Sequence, residues 1–79
     1  MKARVFVTLK PAVLDPQGKA IQTALNGLGF DEALSVRQGK VIDIDLAGDD
    51  AAAAEKSVGA MCEKLLANTI IEDYRIEIL

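Results

Sequence analysis

The stretch EALSVRQGKVIDIDLA, residues 32–47, decides the fold. It holds two alternating runs, EALSVRQ and KVIDIDLA, on either side of Gln38–Gly39. Successive side chains of a strand point to opposite faces. Ile42, Ile44 and Leu46 therefore share one face, and Val41, Asp43 and Asp45 the other. A glycine between two such runs signals a hairpin, though less strongly than Asn-Gly. Two neighbouring strands are therefore expected in mid-chain.

The flanks repeat one pattern on each side. Upstream, KARVFVTLK (2–10) alternates, with Ala3, Val5, Val7 and Leu9 on the face a core would cover. In PAVLDPQG, Asp15 suits a helix cap and Pro16 the first helical position. Ala20, Ile21, Ala24, Leu25 and Leu28 then recur at helical spacing, and Gly29 is a natural left-handed end. Downstream, Asp49 or Asp50 caps a second helix with the stripe Ala54, Val58, Met61, Cys62, Leu65 and Leu66. Asn68 can take the left-handed exit, and DYRIEIL forms a last strand with Tyr74, Ile76 and Ile78 inward.

The order is β-α-β-β-α-β. Its common solution is an α+β, ferredoxin-like two-layer sandwich: a four-stranded antiparallel sheet with both helices on one face. The first and third strands should be neighbours, which sets Lys2 and Arg4 near Asp43 and Asp45, with Phe6 and Val41 among them. At 79 residues the chain is expected to form one domain, 1–79. A chain this short buries only about 60% of its unfolded surface, which makes a dimer a natural expectation.

Composition excludes several functions. Nine basic residues are scattered among twelve acidic ones, and Phe6, Phe30 and Tyr74 are the only aromatics. Neither a phosphate-neutralising patch nor a stacking platform emerges, so no nucleic-acid partner is expected. No apolar run approaches the length of a membrane span. Met1 leads straight into a strand-like segment without a secretory signal, and Cys62 is the single cysteine, so the cytoplasm is the expected compartment. A copper-carrier role would need a Cys pair.

Independent catalysis has little to work with. Histidine is absent, which removes the usual acid–base group. Glu72 and Asp73 are adjacent, so in an extended chain they point apart and cannot flank one bond. Asp43 and Asp45 share a face but lack the further oxygens of a Mg²⁺ or Ca²⁺ site. Lys10 and Lys19 lie near the first helix start, yet no phosphate-loop spacing accompanies them. Cys62 reads as a buried small hydrophobe. Lys10, Arg37 and Lys40, at strand ends and at the expected hairpin tip, are the charges best placed for binding. No catalysis by this chain alone, no metal and no bound cofactor are expected.

Three motifs then act together: LDPQG at 14–18, RQGK at 37–40 and LLANTIIEDY at 65–74. With them in place the whole chain resembles the PurS family, small subunits of phosphoribosylformylglycinamidine (FGAM) synthase. Ala12 and Thr69 stand where that family often has glycine and proline. The resemblance implies a ferredoxin-related domain that forms dimers or tetramers. It implies partners too: a PurL-type synthetase, which binds ATP, Mg²⁺ and the ribonucleotide, and a PurQ-type glutaminase, which supplies a cysteine nucleophile. Together they would convert formylglycinamide ribonucleotide (FGAR), ATP and glutamine to FGAM, ADP, phosphate and glutamate. The small subunit would bridge the two and assist ammonia transfer in purine biosynthesis. Lys10, Asp15, Pro16, Gln17, Gly18, Arg37, Lys40, Asn68, Glu72, Asp73 and Tyr74 are then the candidate partner contacts. The alternative is an ACT-like regulatory module that binds a small molecule between subunits.

Overall fold

A computed structural model describes residues 1–79. Strand β1 (Lys2–Leu9) is central, flanked antiparallel by β2 (Gly39–Asp45) and β3 (Glu72–Ile78). The register sets Arg4 opposite Asp43 and Phe6 opposite Val41 on one side, and Val7 opposite Tyr74 on the other. The expected neighbours thus meet: Arg4 Nε lies 2.8 Å from Asp43 Oδ1, and Lys2 Nζ 4.0 Å from Asp45. The Arg4–Asp43 hydrogen bond holds the guanidinium pKa above its usual value and the carboxyl below its own. Arg75 adds its guanidinium 4.1 Å from the centre of the Phe6 ring and pairs with Glu77 on the same open face.

Helix α2 (Ala51–Met61) covers the other face, over β1 and β3. Asp50 is the cap, accepting from the N–H groups of Ala52 and Ala53. The core is small: Ala3, Val5, Val7, Val58, Cys62 and Ala67 are buried, with Ile76, Ile78 and Tyr74 half-buried around them. Burial pushes the Cys62 thiol pKa up, which suits an inert apolar neighbour.

Four expectations are not met within the single chain. The sheet has three strands, because residues 32–38 make no ladder and there is no hairpin at Gln38–Gly39. The end of α2 widens into a π-helical turn, Cys62–Leu66, with the Ala67 N–H donating to the Cys62 carbonyl. One extra residue in that turn rotates the stripe, so Ala67 is buried and Leu65 faces solvent. Asn68 stays out of the left-handed region; no residue but glycine has positive φ.

The largest departure concerns α1 (Pro16–Gly27). It begins as expected, with Asp15 capping and Pro16 in the first turn. It also ends as expected: Gly29 at φ +99° lets the Phe30 N–H reach the Leu25 carbonyl and the Gly29 N–H that of Asn26. Yet α1 does not lie on the sheet beside α2. It projects away, giving the chain extents of 48 × 24 × 14 Å. Residues 28–38 run back along it, fastened by Gln22 to the Leu34 carbonyl and by Asn26 to those of Phe30 and Ala33. Helix and return limb form an arm on a sheet-and-α2 body.

Candidate functional site

The arm leaves the body after Leu14 and returns before Gly39, and at this neck the three motifs converge. Asp15 lies at its centre, 6% exposed. Its Oδ1 accepts from the Gly18 N–H at 2.8 Å and its Oδ2 from the Gln38 N–H at 2.7 Å. Those N–H groups, Gln38 first, hold its carboxyl pKa below the usual range, and Arg37 adds to the effect. Gln38 Nε2 donates to Gln17 Oε1 at 2.6 Å, and Arg37 donates to the Lys10 carbonyl at 3.0 Å.

A cleft of about 210 Å³ opens beside the neck. Val7 and Leu9 form its floor, and Asp15, Gln17, Gln38, Gly39, Lys40 and Glu72 its polar walls. All three motifs therefore contribute to one feature. Lys40 takes part in no ion pair of the chain.

The acidic pair at the start of β3 is tied down rather than free. Glu72 and Asp73 do point to opposite sides, as extended geometry requires. Glu72 accepts from the Asn68 N–H at 2.6 Å, while the Asn68 carbonyl accepts from the N–H groups of Ile71 and Glu72. Asp73 pairs with Lys10 at 2.7 Å. The corner is thus braced by its own carboxylates. Tyr74 turns inward beside α2, where burial and nearby Glu63 push its hydroxyl pKa up. Pro16 is exposed at the helix start.

Sequence patterns marked Gln38 only as a hairpin tip and motif residue and did not single out Gln22 or Asn26; all three fasten the neck and the arm. Gln22 and Asn26 stand one turn apart on one helix face, and that spacing was the available signal. No three His, Cys, Asp or Glu side chains stand close enough together to hold a metal ion. No helix is long and apolar enough to cross a membrane.

The comparisons decide the family. Residues 2–79 match the family model described as PurS, phosphoribosylformylglycinamidine (FGAM) synthase. This chain belongs to the PurS family. A PurS subunit from Synechocystis sp. is 49% identical over 95% of this chain and 75% of its own length. The crystal structure of PurS from Methanocaldococcus jannaschii matches with a TM-score of 0.88 and 45% identity, covering 96% of this chain and 92% of that one. A chain in the structure of PurLQS from Thermotoga maritima gives 0.89 at 28% identity, covering 99% and 95%. Likeness of that order along nearly the whole chain includes the residues of the arm.

Proposed function

We propose that the chain is the non-catalytic small subunit of FGAM synthase in the cytoplasm, bridging a PurL-type synthetase and a PurQ-type glutaminase in purine biosynthesis. ATP, Mg²⁺ and glutamine are then used by the partners, and this chain binds none of them. The observation that carries the reading is the match along the full fold to a chain of the Thermotoga maritima PurLQS structure. Those likenesses favour it over an ACT-like module. Ammonia released into water is protonated and lost as a nucleophile, so the two partner sites must stay docked while glutamine is cleaved. Contacts that differ between docked and free states are what shift that balance. The loops 10–18, 37–40 and 68–74, gathered at the neck, are the polar surfaces we assign to this task.

The subunit works as a dimer or tetramer in which arms are exchanged. Two features of one chain support this. The N–H groups of Leu34, Ser35, Val36 and Arg37 have no partner within the chain, while the outer edge of β2 is unpaired. Ile42, Ile44 and Leu46 are only half-buried at the margin of the core, and Ile21, Leu28 and Phe30 of the arm stand exposed. A second copy supplies the missing fourth strand and the missing helix at once. Low-cost exchange of an identical element is a common route to dimers.

The test is reconstitution. Synthetase and glutaminase with FGAR, ATP and Mg²⁺ should form FGAM from glutamine only when this chain is added, whereas ammonia should support the synthetase without it. Equal glutamine-dependent rates with and without the chain would refute the proposal.

A further inference from the structure

We propose that Asp15 is a positioning residue that latches the neck, making the arm one rigid outward-pointing body and fixing how a second chain meets it. This rests on the arm-exchange reading above. The two oxygens of Asp15 do different things. The bond from Gly18 to Oδ1 is an ordinary helix cap. The bond from Gln38 to Oδ2 spans 23 positions, to where the chain re-enters the sheet. One buried side chain thus joins the arm's way out to its way back.

Asp50 shows what a cap alone looks like. It serves α2 through a single oxygen, Oδ1, stands exposed and reaches no other segment. Burial and a second accepting oxygen therefore set Asp15 apart. Gly18 supplies an independent sign of the same design. A Cβ there would stand 2.3 Å from the Val36 carbonyl oxygen, so the two limbs meet at a spacing that only glycine permits. The Gln17–Gln38 and Arg37–Lys10 hydrogen bonds cross the same gap. With the limbs joined, α1 cannot turn back over its own sheet independently of residues 36–38. The latch therefore favours packing on another chain over packing on its own.

The test is Asp15→Asn in the full chain. One amide oxygen can still cap Gly18, but the amide NH₂ offers Gln38 a donor where it needs an acceptor. We expect hydrogen exchange at the Gln38 amide to quicken about tenfold or more, as befits loss of a bond to a charged group. Exchange at Gly18 should stay slow, as should that at sheet amides such as Val5 and Val7. Self-association, followed by sedimentation, should weaken by a comparable factor, and Gly18→Ala should weaken it too by wedging the limbs apart. Unchanged Gln38 exchange and association in Asp15→Asn would reduce Asp15 to a cap and overturn the latch. Loss of protection across β1 would make it a general fold residue and overturn it equally. A wild-type chain that is monomeric at every concentration would instead refute arm exchange, while the Gln38 amide would still report on the latch.

Discussion

Helices α1 and α2 begin alike and finish in opposite surroundings. Each has an aspartate cap and a stripe of aliphatic residues at helical spacing. Helix α2 spends its stripe at once, burying Val58 and Cys62 on the sheet. Helix α1 buries only Gly18, at the neck, and leaves Leu28 74% exposed. The return limb repeats the contrast with β2: both alternate, but Leu34 is 83% exposed while Ile42 is half-covered. An apolar stripe states that a face will be covered. It does not state by which chain.

That contrast can be broken deliberately. Val5→Asp places a charge in the closed core and should abolish folding of the body, at a cost above about 4 kcal/mol. Loss of the cooperative urea transition, followed by far-UV circular dichroism, would show it. Leu28→Asp puts the same charge on the arm. It should change the unfolding free energy of a dilute, unassociated chain by less than about 0.5 kcal/mol. At high concentration it should abolish association, as light scattering would report. If Leu28→Asp unfolds the dilute chain instead, arm and body are not separable.

Smaller changes sharpen the boundary. Gly29→Ala forces a side chain into the left-handed region and should cost about 1 kcal/mol. The cost should be confined to the arm: amides of the last turn of α1 exchange faster, those of β1 do not. The smallest expected effect is on acidification. Hydrogen bonds depress the carboxyl pKa values of Asp15 and Asp43, so the stability they contribute is fully present above their unfolded values, near pH 4. It is lost as pH falls through the depressed folded values. Carboxyl carbon shifts should therefore place both midpoints below about 4, one reporting the neck and one the open sheet face. A midpoint for Asp15 at or above the ordinary value would contradict the bonding at the neck.

Much of the fold was legible because local rules act within the chain. Alternation located the three ladder strands, and the residue chemistry of Asp15, Pro16, Gly29 and Asp50 marked the helix ends. The cross-strand pair Arg4–Asp43 followed from strand order alone. What was not legible depends on partners or on one-residue geometry. EALSVRQ carries a strand's alternation but finds no partner strand in its own chain. The π-helical turn displaced Leu65 in favour of Ala67, and nothing in the apolar pattern marks such an insertion. At the neck, residues of all three motifs line one cleft. Their convergence on the neck required the fold, since Asp15 and Gln38 are neighbours only once the arm has left and returned.

The most direct test of the central claim, that another chain completes this one, is an isotope-filtered NOE experiment. Equal amounts of ¹³C-labelled and unlabelled chain are mixed, unfolded and refolded together. Exchange of arms predicts intermolecular contacts from Ile21 and Leu25 methyls of one copy to Ile42 and Ile44 of the other. Contacts between these groups only within a chain, or a monomeric mass at millimolar concentration, would contradict it.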